Sequence, residues 1–295
     1  MECRSLEPAA WFEKIVRTAD GIHKSGRISE EAVVRIVEAL NEAKGVLDFS
    51  QPVAAVTTQA LRKASNAEEV LNRIRSECGI DFRVIGGEEE AYYTLLAVKN
   101  RLEKIGMESD NFVMADLGGG STEILFFDSG RVESRSFDIG IVTVAQKYGS
   151  AERIGQAMPH LTKDLRRFAE SMRAEGFDPK LFVSTAGTPT TVAAMKLGMS
   201  YATYDAKKIN GTTLQRADLK IQMDRLLSLD EESRRELVGV GREDLIAAGI
   251  TILDGLYSLL GFDESVVIDD GLREGAAIAA CLGFLERPGD LVRGG

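Results

Sequence analysis

The chain has 295 residues, of which 44% are hydrophobic, and a formal net charge of −10 at pH 7. This length and apolar content suffice for two ordinary domains. Acidic and basic residues are interspersed, and no segment is dense in lysine and arginine, which argues against a nucleic-acid partner because the overall charge repels polyanions. The sequence contains neither a signal peptide nor a long uncharged apolar segment, so we expect a cytoplasmic protein without a membrane partner.

Helices and short strands alternate in the first third of the chain. In chain order, the predicted elements are a helix over 28–46, a strand over 53–57, a largely helical segment over 60–78, a strand over 82–85 and a helix over about 88–105. The first helix is amphipathic, and Ser29 suits its N-cap. Two strands are too few for a stable sheet, and residues 1–6 resemble the end of a strand. We therefore expect the first strands of this region to be missing from the N-terminus.

The alternation continues through the remaining two thirds. The predicted elements are a hairpin over 112–127, a strand over 131–137, helices up to about 174, a strand over 181–184, a helix over 190–197, a helical stretch over about 214–260, a strand over 265–268 and a long helix that follows Gly271 and ends near 285. We expect the tail at 288–295 to be frayed. This order of elements predicts an α/β architecture with mixed sheets.

The Gly-rich segment Asp116-Leu-Gly-Gly-Gly-Ser-Thr-Glu123 lies between two apolar runs. The β-branched and aromatic residues on both sides predict a hairpin, unlike the phosphate loops that open a helix. Backbone N–H groups of residues without a Cβ can approach an anion closely. Asp116 at a strand end can hold a hydrated Mg²⁺, and hydroxyl groups can reach phosphate oxygens. The candidate phosphate-binding residues of this segment are Gly118, Gly119, Gly120, Ser121 and Thr122. An ordinary tight hairpin is the alternative.

Two junctions between a strand and a helix could meet this hairpin in one cleft. After the strand at 181–184, Thr188 suits the N-cap and Pro189 suits the first helical position, so N–H groups around Gly187 would face an anion. A well-capped structural helix is the alternative. Gly271 permits a tight turn into the last helix, whose first residues could contact the same ligand, and a surface turn is the alternative.

Charged residues at two helix starts complete the candidate cleft. Glu88, Glu89 and Glu90 begin a helix, where carboxylates offset the positive end of the helix dipole. A glutamate fixed there could also orient or deprotonate a water that attacks phosphorus. Arg62 lies near another strand-to-helix turn, and its planar guanidinium suits phosphate recognition. An exposed surface arginine is the alternative.

Four motifs, in this order and at this spacing, resemble those of the exopolyphosphatase/guanosine pentaphosphate phosphohydrolase (Ppx/GppA) family of the actin-like and sugar-kinase superfamily. They are Ala60-Leu-Arg-Lys-Ala-Ser-Asn66, Gly87-Glu-Glu-Glu-Ala91, Asp116-Leu-Gly-Gly-Gly-Ser-Thr-Glu123 and Gly271-Leu-Arg-Glu-Gly275. The resemblance extends over nearly the whole chain. It implies two actin-like (ribonuclease H-like) domains with mixed sheets flanked by helices and a cleft between them. One domain would comprise 1–111 plus 275–295, and the other 112–274.

The resemblance also implies an activity, the Mg²⁺-dependent hydrolysis of the terminal phosphoanhydride of inorganic polyphosphate or of guanosine pentaphosphate (pppGpp). By position, Glu90 matches the catalytic glutamate that activates the attacking water, and Arg62 matches the phosphate-binding arginine. Asp116 and Glu123 match the acidic residues linked to the metal, and 118–122 match a phosphate loop. A non-catalytic sensor of guanosine polyphosphates and a kinase or ATPase of the same superfamily stay open as alternatives, as does a homodimer.

The chain departs from the family pattern in several places. The family begins with a strand and an Asp-x-Gly-Ser-Asn loop that faces the loop after Asp116, whereas Met1 falls just after the place of that motif. We expect a trimmed or misassigned start, and a true loss of this first phosphate loop is the alternative. Tyr92 stands where the family often has arginine, and Asn210-Gly211 where it has His-Gly. Because the given sequence ends at residue 295, we expect no counterpart of the C-terminal helical domains of long exopolyphosphatases, and hence a short polyphosphate or a nucleotide as substrate.

Overall fold

The computed structural model describes residues 10, 12–50 and 54–283. The predictions for 1–6 and 288–295 lie outside these residues. The helices are α1 (Ile22–Ser25), α2 (Glu30–Lys44), α3 (Gln59–Lys63), α4 (Ala67–Cys78), α5 (Gly87–Lys104), α6 (Ile141–Tyr148), α7 (Ala151–Leu161), α8 (Lys163–Ala174), α9 (Gly187–Lys196), α10 (Ala206–Ile209), α11 (Arg216–Ser228), α12 (Glu231–Val238), α13 (Ile246–Leu260) and α14 (Leu272–Cys281). The strands are β1 (Val56–Thr57), β2 (Arg83–Val84), β3 (Asn111–Leu117), β4 (Thr122–Asp128), β5 (Arg131–Phe137), β6 (Leu181–Thr185), β7 (Thr212–Gln215) and β8 (Glu264–Val267). None of the helices in this part of the chain combines the length and apolar content needed to cross a bilayer.

The larger of the two sheets has six strands in the order β5-β4-β3-β6-β8-β7. β3, β4 and β5 form an antiparallel meander, whereas β6 runs parallel to β3 and β8 runs parallel to β6. β7 adds an antiparallel edge strand beside β8. Helices connect the parallel strands, as a parallel pairing requires. The predicted α/β architecture with a mixed sheet is therefore confirmed.

The smaller sheet pairs β1 with β2 in parallel and has these two strands among the described residues. Helices α2, α3 and α4 pack around it, and their apolar side chains form a separate core that includes Val33, Leu61 and Ile74. Ser29 caps α2 as predicted, because its hydroxyl accepts a hydrogen bond of 3.2 Å from the Ala32 N–H. This part of the chain therefore has a core of its own, beside that of the large sheet.

The alternation of side chains along β3 decides which of its residues face α5. Phe112 and Met114 pack against the apolar residues of α5, whereas Val113 and Ala115 lie in the core on the opposite face of the sheet. Because side chains alternate between the two faces of a strand, Asp116 continues the row of Phe112 and Met114. The hydrophobic pattern of the strand thus places a carboxylate under α5 at the strand's carboxyl end.

The helices α5 and α14 pack so closely that one contact point must be glycine. A Cβ added at Gly275 would lie 1.7 Å from the carbonyl oxygen of Tyr93 in the middle of α5. Tyr93 is fully buried in a small cluster with Ile85 and two alanines of α14. α5 therefore contacts the large sheet on one side and α14 on the other. The division into 1–111 plus 275–295 and 112–274 stays a prediction.

The two long helical stretches contain breaks that the sequence did not indicate. The segment over 60–78 is largely helical, as predicted, and consists of α3 and α4 with a break between them, where the side chain of Asn66 bonds both backbone groups of Ile28. The helical stretch over 214–260 begins instead with the end of β7 and is divided into α11, α12 and α13. Asp230 caps α12 through the Ser233 N–H, and Gly239, with a φ of 92°, ends it. The strand over 131–137 has the predicted bounds.

We predict that Gly275→Ala destabilises the protein by on the order of 3 kcal/mol, because the new methyl group meets backbone that cannot move cheaply. Gly155→Ala is the matched control: it also lies within a helix, but its Cβ would meet only a methyl group of Thr251 at 3.9 Å. That change should be neutral or stabilise by up to about 1 kcal/mol. Urea unfolding measures both variants, and equal stabilities for the two would contradict the described packing.

Candidate active site

Four neighbouring strands bring polar side chains to one edge of the large sheet. Asp116 on β3 lies opposite Glu123 on β4 and opposite Thr185 on β6. Glu123 in turn lies opposite Ser136 on β5. Directly paired residues point to the same face of a sheet. These four side chains therefore form a row on the face that α5 covers.

Helix α5 adds two residues to this row from above. The Thr94 hydroxyl lies 3.0 Å from Asp116 Oδ2, to which it donates, and 3.1 Å from the carbonyl oxygen of Glu90. Glu90 lies one turn earlier, and its side chain is buried. The start of α5 is extended backbone at Gly86 followed directly by helix at Gly87. The predicted helix start and the predicted hairpin thus meet at the same place.

Arg62 reaches the carboxylate of Glu90 from α3. Its Nη1 donates to the carbonyl oxygen of Ile85 at 2.5 Å and lies 3.6 Å from Glu90 Oε2. Within the described part of the chain, Glu90 Oε2 is buried and makes no hydrogen bond. A buried oxygen without a partner is costly, so this atom is suited to accept a proton from a ligand or a water.

Burial raises the pKa values of all three carboxyl groups, and repulsion from neighbouring carboxylates adds to the shift at Glu90 and Glu123. Burial, assisted by the charge of Asp116 and opposed by Arg62, raises the pKa of Glu90 to about 7. Burial and then the charges of Glu90 and Asp116 raise the pKa of Glu123 to about 8, while the Ser136 hydroxyl opposes the shift. Burial also raises the pKa of Asp116. The cluster therefore favours protons or another cation over three bare negative charges.

The donor set fits a magnesium ion that shares its ligands with substrate. Asp116 is half-buried, and its hydrogen bond from Thr94 occupies only Oδ2 among the described contacts. Mg²⁺ is usually held by one or two carboxylates together with waters and substrate phosphates. Asp116 and Glu123 provide such a pair. Among the described residues, no group of three or more His, Cys, Asp or Glu side chains is arranged to enclose a metal by itself.

The glycine turn between β3 and β4 is fixed by the start of α6. The Gly118 N–H donates to the Ser121 carbonyl at 3.0 Å, and the N–H groups of Ile141 and Val142 donate to the carbonyls of Gly118 and Gly119. The N–H groups of Gly119 and Gly120 donate to no residue that the structure describes. Backbone donors left free in a fixed turn can bind an anion.

The hydroxyl side chains of the turn have other partners. Thr122 is fully buried, and its hydroxyl donates to the carbonyl oxygen of Ile139 at 2.5 Å. Ser121 is buried, and its hydroxyl lowers the otherwise raised pKa of Glu123. These hydroxyls therefore stabilise the turn and the carboxyl cluster. Phosphate binding by 118–122 stays a prediction, and the free N–H groups of the glycines are its best support.

The second junction, after β6, begins its helix earlier than predicted. Thr188 is not the N-cap, and Pro189 is not the first helical residue: α9 starts at Gly187 after Ala186. Thr188 instead packs its side chain against Gly249 of α13. Ala186 has a φ of 75° and a ψ of −175°, which costs on the order of 1–3 kcal/mol for a residue with a Cβ and is typical of functional sites. The contact of Gly187 and Thr188 with phosphate stays a prediction.

One cation near this junction was not predicted from the sequence. The guanidinium of Arg242 lies 3.8 Å from the position that a Cβ of Gly187 would occupy. Its Nη1 donates to the Thr191 hydroxyl at 3.2 Å, and its Nη2 bonds Glu13. Arg242 thus places positive charge at the start of α9. The only feature of the sequence that could have indicated Arg242 is its position, just after Gly239 and Gly241 and shortly before a helix.

The third junction, before α14, satisfies its own polar groups. The Gly271 N–H donates to Glu274 Oε2 at 2.9 Å, and Arg101 forms a bidentate ion pair of 2.7 and 2.9 Å with Asp270. The Thr185 hydroxyl donates to the Asp270 carbonyl at 3.2 Å, which fixes this turn beside the end of β6. The turn lies at the same sheet edge as the carboxyl row. Because the Gly271 N–H already donates to Glu274, it is not free to bind a phosphate in this arrangement. The phosphate contact of Gly271 stays a prediction.

Comparison with protein families matches residues 6–282 to the Ppx/GppA phosphatase family. The chain belongs to this family. It is 28% identical to exopolyphosphatase 2 of Mycobacterium tuberculosis over 282 residues, which cover 90% of this chain and 87% of that protein. It is 27% identical to exopolyphosphatase 1 of Mycobacterium bovis, covering 91% and 79%.

Solved structures of similar proteins support the family assignment and show the fold. The Aquifex aeolicus Ppx/GppA family member is 29% identical, with a TM-score of 0.69 and coverage of 92% of this chain and 88% of that one. An exopolyphosphatase from Cytophaga hutchinsonii, at 22% identity, shares the fold with a TM-score of 0.73 over 89% and 85% of the two chains. This Ppx/GppA family member therefore has the actin-like fold that its motifs predicted.

We predict that the free energy of unfolding of the metal-free protein falls as pH rises from about 5 to about 9. The folded-state pKa values of Glu90 and Glu123, about 7 and about 8, exceed the ordinary value of 4.5. The folded state therefore binds these protons more tightly, and the stability they provide is complete below about 4.5 and lost as pH passes through the raised values.

Urea unfolding across this pH range, with divalent cations chelated, tests the prediction. Glu123→Gln should show a smaller decline than wild type, because glutamine does not ionise. Glu170→Gln, at an exposed position on α8, is the control and should keep the wild-type decline. A Glu123→Gln protein with the full wild-type decline would contradict the origin we assign to the effect.

Proposed function

We propose that this protein is a Mg²⁺-dependent phosphohydrolase that removes the terminal phosphate of inorganic polyphosphate or of pppGpp, with Glu90 as the base that activates water. The proposal rests on membership of a phosphatase family and on one observation above the others. That observation is a buried glutamate whose Oε2 makes no hydrogen bond and whose pKa is raised to about 7, with Arg62 3.6 Å from that oxygen and a second carboxylate nearby.

Glu90 is suited to general-base catalysis for two reasons. A base is most effective when its pKa lies near the working pH, because it is then both ionised and basic enough to take a proton. Its Oε2, which makes no hydrogen bond within the described residues, would accept a proton from a water, whose oxygen attacks the terminal phosphorus. The phosphoanhydride bond breaks, and the shortened substrate leaves with the bridging oxygen.

The remaining site residues would neutralise and orient the phosphates. Phosphoryl transfer depends mainly on positioning and on charge stabilisation of the transferring group. Arg62 lies beside Glu90 and could bridge the terminal phosphate, while the free N–H groups of Gly119 and Gly120 could bind the next oxygens. Asp116 and Glu123 would hold the magnesium ion, which supplies positive charge next to the phosphate oxygens.

A polyanionic substrate has to be captured by local charges, because the protein as a whole is acidic. The net charge of −10 repels anions at long range, so capture must depend on charges within the site. The relatives named exopolyphosphatase 1 and exopolyphosphatase 2 support polyphosphate as a substrate class. pppGpp presents the same terminal phosphoanhydride and is the second substrate to be tested.

We predict that Glu90→Gln lowers kcat for phosphate release by about 10³-fold, within the range of about 10²–10⁴-fold for a lost general base, with little change in KM. The measurement is phosphate release from polyphosphate and from pppGpp, with and without Mg²⁺. Glu88→Gln is the control, since Glu88 is exposed in the first turn of the same helix, and its kcat should stay within about twofold of wild type.

The same assay separates the alternatives. Wild-type protein that binds guanosine polyphosphates without releasing phosphate would indicate a sensor. ATP-dependent phosphorylation of a small acceptor would indicate a kinase. Full activity in Glu90→Gln would remove the role assigned to Glu90.

We predict that Asp116→Asn abolishes the Mg²⁺ dependence and lowers kcat by at least about 100-fold, as loss of a metal-linked carboxylate should. Its free energy of unfolding should equal or exceed that of wild type, because one of three repelling buried charges is removed while the amide oxygen can still accept from Thr94. Asp128→Asn, at the opposite end of the same hairpin, is the control. Parallel losses of folding and turnover in Asp116→Asn would indicate a purely structural aspartate.

A further inference from the structure

Ser136 makes a short polar contact with the carboxyl cluster. It lies on β5 directly opposite Glu123, and its hydroxyl donates to Glu123 Oε1 at 2.6 Å. Glu123 is 1% exposed, so water cannot replace this donor. Partners that fix a metal-linked carboxylate set its orientation and its basicity. The hydroxyl of Ser136 therefore fixes Oε1 of Glu123. Because the carboxylate is planar and rigid, this bond also restricts the direction in which Oε2 points.

Ser136 also supports the first turn of α5. A Cβ added at Gly87 would lie 2.8 Å from the Cβ of Ser136 and 3.8 Å from Nη2 of Arg62. The backbone of Gly87 therefore rests almost directly on Ser136, and Arg62 lies at the same point. Glu90 follows one turn later on this helix. The size of the side chain at position 136 thus contributes to the distance between α5 and the sheet. This distance in turn affects the position of the Glu90 carboxylate.

Neighbouring positions of the same residue types make no such contacts. Ser134 lies on the same strand and face, one pair further from the site, opposite the apolar Leu125, and its hydroxyl bonds no residue that the structure describes. Gly86 immediately precedes Gly87, and a Cβ there would meet nothing within 4 Å. The contacts of Ser136 and Gly87 are therefore particular to this pair.

We propose that Ser136 is a positioning residue of the phosphohydrolase site, an inference that rests on the function proposed above. Its hydroxyl orients Glu123, and its small side chain against Gly87 sets the distance between the Glu90 carboxylate and the Asp116–Glu123 pair. In this role Ser136 needs no contact with substrate or with the reacting water. It acts through Glu123 and Glu90.

The first experiment compares Ser136→Ala with the matched control Ser134→Ala. We expect Ser136→Ala to lower kcat by about 10–100-fold, the usual effect of losing a partner of a metal-linked group, with KM within about twofold. Without substrate, the Mg²⁺ concentration that gives half of the maximal rise in Tm should increase by a similar factor. Ser134→Ala should match wild type in all three measurements, because it loses an equal hydroxyl outside the site.

The second experiment is a double-mutant cycle between residues 87 and 136. Gly87→Ala should lower kcat, because its methyl group must displace Ser136 or lift α5, whereas Gly86→Ala should not. In a Ser136→Gly background the obstructing Cβ is absent, so Gly87→Ala should have little further effect on kcat. A purely structural role would move Tm in these variants without this coupling in kcat. All assays are run well below the lowest Tm of the set.

The outcomes are distinguishable. If wild type releases phosphate and Ser136→Ala matches it in kcat, KM and Mg²⁺ response, the role of Ser136 is overturned and the proposed function stands. If wild type releases no phosphate but Ser136→Ala weakens the Mg²⁺ response, the proposed function fails and the orientation of Glu123 by Ser136 is supported. Equal effects of Gly87→Ala in both backgrounds overturn the contact with α5. A wild-type protein with neither phosphate release nor a Mg²⁺ response overturns both proposals.

Discussion

Three carboxyl groups share one poorly hydrated space at the edge of the large sheet, and their repulsion is the constraint on which the rest of the site depends. Glu90, Asp116 and Glu123 approach this space from α5, β3 and β4, and each has a pKa raised by burial. Buried like charges are costly unless protons or a cation neutralise them. Arg62 provides one positive charge, 3.6 Å from Glu90. The remaining negative charge has to be neutralised by protons or by a ligand. Ligand binding and folding stability therefore depend on the same electrostatic repulsion.

The fold resists this repulsion by fixing each carboxylate through a neighbour. Backbone pairing keeps Asp116 and Glu123 opposite each other, and the hydroxyls of Thr94 and Ser136 donate to them at 3.0 and 2.6 Å. Glu90 lies on α5, whose position is set by close contact with the sheet on one side and with α14 on the other. The hydrogen bonds to Asp116 and Glu123 hold these two carboxylates in place, because hydrogen-bonded polar groups in a low dielectric are rigid. A rigid arrangement of like charges is what a metal-assisted phosphate site requires.

Prediction from the sequence succeeded where the signal is local. The glycine break between two apolar runs gave the hairpin of β3 and β4, and the strand predicted over 131–137 is β5 with the same bounds. It failed where the role of a side chain depends on contacts with residues that are distant in the sequence. Thr188 is a good N-cap type, yet its side chain packs against Gly249, and Ala186 takes the N-cap position in a strained conformation. In the break between α3 and α4, Asn66 bonds Ile28, 38 residues away.

The sequence by itself identified Arg62, Glu90, Asp116 and Glu123 as candidates and the type of element that carries each, because apolar periodicity, glycine breaks and acidic helix starts act over a few residues. It did not indicate Thr94, Ser136 or Arg242. Tertiary structure alone decided which groups meet. The bonds from Thr94 to Asp116, from Ser136 to Glu123 and from Arg242 to Thr191 span 22, 13 and 51 residues. The pKa shifts likewise arise from burial beneath α5 and from charges on other elements. Desolvation and strand register are properties of the packed molecule, and no local pattern specifies them.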